Sequence, residues 1–430
     1  MLVRRLLPIF RSVSGSRPVR CFSVDIMDVY ALKSGAMKGD GESAYQLGLY
    51  LLNNATEASG EEEKDVGGGE MNKNAGSQKE LAKKVILEIR NEQKAARARK
   101  RAEKEKNKNS GVVTVDESVD LEEDASHGIY WLRKASRTGH VSAMVLLGNH
   151  LLHLGNDAPE KDETYIREAL FLYNKAARSN HPDALFNLGT LYFSGIENVL
   201  PADLDKSRSF FEKSAALGDA ASLYWVAHCM LSTEGGFRKE ERDVQKALSY
   251  LHAAAKEGHA ASHYRLAMIY REGLTSDAIP LKEGGDIEVQ SDGDKFVYHL
   301  EQALEGENED AYFAMAILHL QSQEQSSVGS SNALVPYPIN PDIRTGVSLL
   351  EKAVELGHTE ALVSLGAVYY NGLYGYPQNK RRSFELYNQA AERGSKDAWM
   401  NLASMYYQGD GVPKNKAIAE SILKNIFGKE

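Results

Sequence analysis

The amino-acid sequence predicts an all-α fold, an α-solenoid superhelix of about eight helix-turn-helix repeats. Two observations predict this fold. A segment of about 40 residues recurs along the chain, and each copy holds two stretches in which apolar and small residues follow helical spacing. The chain has 430 residues, which is long for one globular core, whereas an array of stacked repeats has no such size ceiling.

The N-terminal residues 1–22 are interpreted as a mitochondrial transit peptide. They contain five arginines and no acidic residue, and Leu2, Leu6 and Phe10 can share one side of a helix. Amphipathic, arginine-rich, acid-poor segments of this kind are typical of import signals. The pattern predicts cleavage after Phe22 and residence in the matrix or on the matrix face of the inner membrane. The alternative is a disordered basic tail on a cytosolic protein.

The chain has only two cysteines, which excludes a disulfide scaffold. Cys21 lies in the predicted presequence, so Cys229 is the only thiol of the mature chain. A protein folded by oxidation in the intermembrane space would need paired cysteines, and this favours the matrix. Cys229 stands on a predicted helix and is expected to be a packed, apolar thiol.

The next segment, residues 23–53, is predicted to hold a short helix and the first helix of the first repeat. Residues 54–125 then form a charged, low-complexity insertion. Within it, residues 78–108 contain no Pro or Gly and consist of good helix formers, so a basic helix is expected there. The cations that are candidates for electrostatic docking are Lys83, Lys84, Arg90, Arg97, Arg99, Lys100 and Arg101.

Two interpretations of this basic helix stay open. Its cations would suit RNA, a ribosome or an anionic membrane surface, although it offers no aromatic side chain on which bases would stack. Alternatively it is a solvated or partly disordered excursion whose acidic flanks neutralise it.

The repeats themselves occupy residues 126–430. Each first helix begins after a turn residue, has a small residue four positions on, and then an apolar-small pair, as in GHTEALVSLGAVYYNG from Gly357. Small residues such as Gly366 let two helices approach closely, and apolar residues at helical spacing supply the buried stripe. Each second helix ends in a pattern close to Ala-Ala followed by Gly, and glycines such as Gly218 are expected to take the left-handed conformation that closes a helix.

Some copies depart from this pattern. Asn180 stands where other copies have Gly, and the copy that starts at Gly306 is one residue longer. Residues 275–293 and 321–341 are rich in Ser, Gly, Asp, Gln and Pro, and they are interpreted as loop insertions between the two helices of a repeat. A last helix over residues 414–426 is expected to close the array.

The form A-x-x-x-L-G-x-x-Y-x-x-G, followed by a helix that ends A-A-x-x-G, resembles the Sel1-like repeat, a relative of the tetratricopeptide repeat. The resemblance extends from about Gly39 to Lys424. It implies a helical solenoid that binds other proteins. Mitochondrial proteins with similar repeats often serve the assembly of respiratory-chain complexes, especially cytochrome oxidase, or relay mitochondrial stress.

No catalytic, cofactor or metal site is predicted, and the protein is not expected to be an enzyme. The sequence has no phosphate-binding glycine loop, no G-x-S-x-G, no H-E-x-x-H and no C-x-x-C. His150 with His153, and His259 with His263, have metal-like spacings, but neither pair has a third ligand nearby. Four histidines directly follow a turn residue and are expected to serve helix entry, namely His140, His181, His259 and His358.

Composition excludes two further classes of protein. The formal net charge of −9 argues against a protein that coats nucleic acid with its whole surface. No window reaches the roughly 18 apolar residues of a membrane-spanning helix, so no transmembrane segment is expected.

A partner-binding groove is predicted along the first helices, since these usually line the concave face of a helical solenoid. The positions 7, 10 and 14 residues after each turn residue lie on a stripe that packing does not claim, and this stripe is rich in amides. Ordinary solvated helix surface is the alternative. The candidate groove residues are Asn149, His153, Asn187, Thr190, Trp225, His228, Arg265, Glu272, Ser364, Asn371, Asn401 and Gln408.

Together these features predict a non-catalytic mitochondrial scaffold or adaptor. Its groove is expected to bind client proteins through an unfolded segment or a partner helix of the client. Assembly or translocation of a respiratory-chain component, such as one of cytochrome oxidase, is the favoured role. The alternatives are a mitochondrial RNA- or ribosome-associated factor that acts through residues 78–108, and an adaptor in mitochondrial stress signalling.

Overall fold

The structure is a computed structural model of the whole chain. It describes residues 26–55, 84–85, 87–89, 128–157, 163–232, 243–274, 289–321, 339 and 342–427. The predicted transit peptide and most of the charged insertion lie outside the described residues.

The described residues are helical throughout apart from short connections, which confirms the all-α solenoid class. Consecutive helices within each part of the chain pack on one another. The helices are α1 (Ile26–Met37), α2 (Gly41–Ala55), α3 (Gly128–Arg137), α4 (Val141–Asp157), α5 (Glu163–Arg178), α6 (Pro182–Ser194), α7 (Leu204–Ala216), α8 (Ala220–Leu231), α9 (Val244–Lys256), α10 (Ala260–Glu272), α11 (Gly293–Glu305), α12 (Glu309–Gln321), α13 (Ile343–Leu356), α14 (Thr359–Asn371), α15 (Lys380–Glu392), α16 (Lys396–Gln408) and α17 (Lys416–Phe427).

The chain divides into two compact units. Unit 1 covers Met1–Leu217 and contains α1 to α7. One hydrophobic core runs through it, and Trp131 of α3 and Tyr173 of α5 are its largest fully buried side chains. Leucines of the first helices, such as Leu147 and Leu188, complete this core. Each repeat therefore buries its apolar stripe against its neighbours, as the helical spacing predicts.

Unit 2 covers Gly218–Glu430 and contains α8 to α17. Phe296 and Leu300 of α11 form one core cluster with small residues of α10 and α12. Leu350, Leu365 and Tyr387 belong to a second cluster that continues to α16. The same alternation of small and large side chains thus recurs in both units.

The small residues of the first helices act as predicted. A Cβ atom placed on Gly148 would lie 2.7 Å from the Tyr173 ring, and one on Gly366 would lie 2.6 Å from the Tyr387 ring. Gly189 has the same relation to Phe211, at 2.8 Å. In each case the aromatic side chain comes from the second helix of the same repeat. Glycine therefore provides the space into which that ring packs.

Left-handed turn residues close the second helices. Gly218, Gly258 and similar glycines have φ near +80° to +104°, which confirms the predicted conformation. Asn180 takes this position in its own repeat with φ 55°. The prediction that Gly306 is the equivalent residue is wrong, because Gly306 has φ −86° and Glu307 has φ 53°. With the turn at Glu307, the apparent extra residue, Gly306, is the C-cap of the preceding helix α11.

We expect Glu307→Gly to stabilise the protein by about 1 kcal/mol, because an L-residue in the left-handed region carries a strain of about 1–2 kcal/mol that glycine avoids. Equilibrium urea unfolding measures the change. Glu301→Gly is the matched control. Glu301 lies exposed inside α11, so glycine there should cost about 1 kcal/mol. A destabilising Glu307→Gly would contradict the assignment of the turn.

A recurring backbone bond, here called the carbonyl latch, fixes the connection between the helices of a repeat. A tyrosine carbonyl near the end of the first helix accepts a hydrogen bond from the N-cap residue of the second helix, at 2.8 Å in each case. The side chain of the same Asp or Asn then caps the second helix. The latched pairs are Tyr192 with Asp203, Tyr270 with Asp292, Tyr369 with Asn379 and Tyr406 with Asn415.

The latch explains how a repeat accommodates a long connection. Leu274 and Val289 exchange two backbone hydrogen bonds of 2.9 Å, and Asp292 is latched to Tyr270. Both ends of the predicted 275–293 insertion are therefore held at the α10–α11 connection, while residues 275–288 lie outside the described residues. Most of the predicted 321–341 insertion also lies outside them.

Candidate functional site

The candidate groove residues of unit 1 lie on α4 and α6. Asn149 Oδ1 accepts hydrogen bonds from Asn187 Nδ2 at 2.8 Å and from the Tyr173 hydroxyl at 2.7 Å. The predicted positions on neighbouring first helices are thus brought together. Asn187 and Thr190 are buried, whereas Asn149 and His153 are exposed. The Thr190 hydroxyl donates to the Phe186 carbonyl of its own helix, so it offers little to a partner.

In unit 2 the candidate groove residues differ in whether their side chains are buried or accessible to a partner. Trp225 is buried and packs edge-on against His228, with ring centroids 5.7 Å apart. Arg265 is half-buried, and its Nε makes no hydrogen bond to any described residue. The exposed members on the first helices are Glu272, Asn371 and Gln408, while Ser364 and Asn401 are half-buried. A surface for partners would therefore have to use Arg265 and the exposed amides rather than the buried Trp225. The groove itself stays a prediction.

As predicted for helix entry, three of the four histidines that follow turn residues cap the N-terminus of the next helix. Nδ1 of His140, His259 and His358 accepts a backbone N–H from the first turn of the helix that follows. His181 is the exception, since its side chain makes no capping hydrogen bond and its Nε2 lies 3.4 Å from Ser142 Oγ.

Two of these histidines, His358 and His140, tie one repeat to the next through both a stacked aromatic ring and a carboxylate. His358 stacks on Phe313 of α12 with a centroid distance of 4.4 Å, and its Nε2 lies 3.3 Å from Asp310. His140 stacks on Tyr45 of α2 at 4.3 Å, and its Nε2 lies 2.8 Å from Glu42. Because Nδ1 accepts the capping bond, Nε2 carries the proton and donates to the carboxylate. A histidine N-cap thus couples successive first helices, which no single repeat reveals in the sequence.

A cluster of buried histidines lies between α10 and α11 of unit 2. His263 Nε2 donates to the Ala255 carbonyl at 2.9 Å, so its Nδ1 is free to accept a hydrogen bond. His299 Nδ1 lies 3.0 Å from that Nδ1 and must donate to it. Burial, together with the nearby His263, His252 and Lys295, lowers the pKa of His299 to about 4. Burial also lowers the pKa of His263, and the bond between the two rings requires neutral His263, because its Nδ1 is the acceptor.

We expect unit 2 to lose stability as the pH falls from about 6.5 to about 4. In the unfolded chain histidine takes up a proton near pH 6.5, whereas folded His299 does so only near pH 4. The unfolded state therefore binds more protons in this window, so the free energy of unfolding decreases as the pH is lowered. Urea unfolding at several pH values measures the slope. His299→Gln should reduce the slope of the unfolding free energy against pH. The control His153→Gln, at an exposed histidine, should leave that slope unchanged. Equal slopes in the wild type and both variants would refute the role of this cluster.

Cys229 is buried in α8, and burial raises the pKa of its thiol to about 12. The prediction of a packed, apolar thiol is confirmed. A thiol with this pKa is a poor nucleophile near neutral pH.

A short helical piece of the charged insertion packs on α1. Val85 and Ile89 are fully buried in the core of unit 1, and Glu88 accepts hydrogen bonds from the Tyr30 hydroxyl at 3.2 Å and from Lys33 Nζ at 3.4 Å. Of the candidate docking cations, Lys84 is described and exposed. Lys83, Arg90, Arg97, Arg99, Lys100 and Arg101 lie outside the described residues.

The residues that the structure describes hold neither a metal-binding cluster nor a membrane-spanning helix. No group of three or more His, Cys, Asp or Glu side chains is placed to hold a metal ion there. No helix in this part of the chain has the length and apolar character needed to cross a bilayer.

The repeat pattern and the helix-pair structure match one family. A family model described as Sel1 repeat matches residues 117–140, 141–181, 182–219, 220–259, 260–280, 336–358, 359–395 and 397–421, which is more than half of the chain. The chain belongs to the Sel1 repeat family. Sel1 repeats are typical of non-catalytic scaffolds that bind proteins, and no enzyme family is indicated. Helices α11 and α12 of this Sel1 repeat protein lie between two matched segments, where the insertions interrupt the pattern.

Two relatives of this Sel1 repeat protein are regulators by name. It is 25 % identical over 259 residues to chitin synthase regulatory factor 4 of Schizosaccharomyces pombe, a match that covers 60 % of this chain and 38 % of the relative. It is 28 % identical over 157 residues to an exopolysaccharide production negative regulator of Rhizobium meliloti, covering 34 % of this chain and 55 % of the relative. The match therefore spans less than two thirds of the length of either relative.

Solved structures of the family resemble this Sel1 repeat protein. A Sel1 repeat protein from Oxalobacter formigenes has a TM-score of 0.45 and 21 % identity, with 98 % of this chain and 89 % of that chain covered. The protective antigen c5321 of uropathogenic Escherichia coli, which displays an SLR fold, has a TM-score of 0.39 and 18 % identity, with 93 % and 79 % covered. At these identities the likeness concerns the fold alone.

Sequence reasoning missed three features of this Sel1 repeat protein. They are the carbonyl latch, the histidine contacts between repeats and the hydrogen bonds of Glu88 to Tyr30 and Lys33 of α1. The latch has a sequence signal, since Asp203 and Asp292 each precede a lysine by three positions, and that lysine lies over the ring of Tyr192 or Tyr270. The other two depend on partners distant in the chain, such as His140 and Glu42.

Proposed function

We propose that this protein is a non-catalytic adaptor that binds a client protein along the first helices of its repeats. The observation that carries the proposal is the hydrogen bond between Asn149 and Asn187, which aligns polar positions of neighbouring first helices. Exposed amides on the first helices, such as Asn371 and Gln408, suit an extended peptide, because an amide can both donate to and accept from its backbone. The two relatives are named as regulators, which supports an adaptor role.

The groove is tested with charge and amide changes that leave the core intact. Arg265→Glu combined with Asn401→Lys alters the proposed surface, and co-purifying proteins are then identified from cells. Arg381→Glu is the control, because Arg381 lies on second helix α15 and its side chain is 87 % exposed. We expect the double variant to lose clients that the wild type and Arg381→Glu retain. If all three keep the same clients, the first helices do not bind them. Trp225→Ala does not test the groove, because Trp225 is buried and its removal would also disturb the core.

We further propose that the adaptor works in mitochondria, in the matrix or on the matrix face of the inner membrane, in assembly or translocation of a respiratory-chain component such as one of cytochrome oxidase. The arginine-rich, acid-poor residues 1–22 support this location. A fluorescent protein fused after residues 1–30 should enter mitochondria. A matched fusion with Arg4, Arg5 and Arg11 changed to Gln should stay cytosolic, and a cytosolic wild-type fusion would remove the proposal. Clients from mitochondrial stress signalling instead of a respiratory complex would favour the second adaptor role.

The RNA- or ribosome-associated alternative rests on the basic run of the insertion. Deletion of residues 78–108 is a poor test, since it also removes Val85 and Ile89 from the core of unit 1. Changing Arg97, Arg99, Lys100 and Arg101 to Gln leaves those residues in place. If the variant keeps its RNA association and the salt dependence of that association, this alternative is excluded.

A further inference from the structure

A short turn between α14 and α15 of unit 2 exposes apolar side chains. The turn, Leu373–Gly375, is a single 3₁₀ turn whose first two residues are 41 % and 39 % exposed. Its base is fixed, because the Asn379 N–H donates to the Tyr369 carbonyl at 2.8 Å and the Tyr376 ring packs edge-on against the Tyr369 ring, with centroids 5.8 Å apart. A leucine and a tyrosine are therefore held in place without being buried.

Tyr374, the second residue of this turn, has an unusual backbone conformation. Its φ and ψ are 57° and 25°, in the left-handed region that bulky residues rarely adopt. Glycine takes this conformation without strain, and the nearby Gly372 and Gly375 do have positive φ. Strained residues of this kind cluster at functional sites. Because the tyrosine is exposed instead of packed in the core, its position indicates a contact with something outside the chain.

Cations outnumber carboxylates on the chain around this turn. Residues 372–385 and 409–416 hold five lysines and arginines but two carboxylates, although the whole chain has a formal net charge of −9. The two segments touch, since Lys380 Nζ lies 2.7 Å from Asp410 Oδ1 and a Cβ on Gly411 would lie 2.7 Å from the Lys380 backbone. The end of the last two helix pairs, where α14 and α16 finish, therefore carries excess positive charge.

Several of these cations are accessible to a partner. The two carboxylates form ion pairs with Lys380 and Arg382. The remaining cations of the two segments are exposed, and the Arg381 side chain keeps 87 % of its surface although its Nε lies 3.8 Å from a carboxylate. Lys416 Nζ lies 5.1 Å from the ring centroid of Tyr407, which is 52 % exposed. Exposed cations thus lie beside exposed apolar side chains.

We propose that these side chains form a docking patch for an anionic membrane surface. Tyrosine rings favour the headgroup level of a bilayer, and lysine and arginine near that level are attracted to anionic lipids. A small exposed turn needs no matching pocket in a fluid headgroup layer, which favours a bilayer over an acidic protein. The patch uses none of the candidate groove residues, so it stands independently of the proposed adaptor function. The docking patch consists of Leu373, Tyr374, Arg381, Tyr407, Lys414 and Lys416.

Sedimentation with vesicles tests the charged part of the docking patch. The full-length protein is mixed with phosphatidylcholine vesicles that either contain or lack phosphatidylglycerol. Arg381→Gln with Lys414→Gln should bind the mixed vesicles roughly tenfold more weakly than the wild type, since each cation near an anionic surface adds to the affinity. The control, Lys256→Gln with Lys396→Gln, removes two exposed cations at the opposite end of the helix pairs and should keep wild-type affinity. Equal affinity of the two variants, or for the two kinds of vesicle, would contradict the proposal.

Tyr374→Gly tests the apolar part of the docking patch. Glycine takes a φ of 57° freely, so the variant should be at least as resistant to urea as the wild type. It should nevertheless bind the mixed vesicles severalfold more weakly. Phe171→Ser, which removes another exposed aromatic ring, should bind them like the wild type. Lower stability or unchanged binding of Tyr374→Gly would overturn the proposal, because the ring would then serve the fold or make no membrane contact.

A site-specific probe identifies the surface that meets the bilayer. Leu373→Cys in a Cys21→Ser background is labelled with nitrobenzoxadiazole, while Cys229 stays unlabelled because burial raises the pKa of its thiol to about 12. The emission should shift to the blue on mixed vesicles, and a probe at Lys396→Cys should not respond. No shift at position 373 on vesicles that bind the protein would assign binding to another part of the chain and refute the docking patch. A shift that grows with protein concentration without vesicles would refute it in favour of self-association.

Discussion

Trp131→Ala is expected to lower the free energy of unfolding of unit 1 by about 3–5 kcal/mol, because it removes the largest fully buried side chain of that core and leaves a cavity. Trp131 has no exposed surface and lies on α3 among side chains of α2, α4 and α5 that belong to the same core. Urea unfolding followed by far-ultraviolet circular dichroism measures the loss without relying on tryptophan fluorescence.

Phe171→Ala is the control for this prediction. Phe171 is an aromatic residue of the same unit, but 67 % of its surface is exposed, so its removal should change the free energy of unfolding by less than about 0.5 kcal/mol. Similar losses in the two variants would mean that the core does not depend on Trp131.

Gly366→Ala is expected to destabilise unit 2 by about 2 kcal/mol, although alanine is the better helix former. The new Cβ would lie 2.6 and 2.8 Å from two carbons of the Tyr387 ring, which is itself buried and has little freedom to move. Overpacking of a core costs about 1–3 kcal/mol, and this exceeds the gain of up to about 1 kcal/mol in helix propensity. Equilibrium unfolding of the two proteins measures the difference.

A double-mutant cycle isolates the clash from the helix propensity. In a Tyr387→Ala background the ring is absent, so Gly366→Ala should now stabilise the protein by up to about 1 kcal/mol. The sign of the effect therefore reverses between the two backgrounds. If Gly366→Ala is destabilising by the same amount in both, close approach of α14 and α15 is not the reason for glycine at this position.

The location of the repeats could be predicted because their pattern is local. The spacing around Gly189 and Gly366 already contains the helix period and the small residue that a neighbour requires. The turn at Glu307 could not be found this way. The adjacent Gly306 supplied the expected residue type, and only the backbone dihedral angles show that Glu307 takes the left-handed position.

The candidate groove was predictable only as a set of positions. Counting from the turn residue places Asn149 and Asn187 on the correct helices, and the structure brings their amides together. The same counting also selected Trp225, which is buried. Helical periodicity indicates the direction of a side chain about its own helix, but burial depends on which neighbours lie on that side.

The all-α array of Sel1-like helix pairs follows from the sequence, because each pair repeats the same local pattern of turn, small and apolar residues. Which side chains join the repeats, such as His358 with Phe313 and Asp310, emerges only when the helices are packed together. The same holds for the contact of the charged insertion with α1, where Glu88 accepts hydrogen bonds from Tyr30 and Lys33. Those contacts join residues that are distant in the chain, and their free energy depends on distances and burial that arise only when the helices pack.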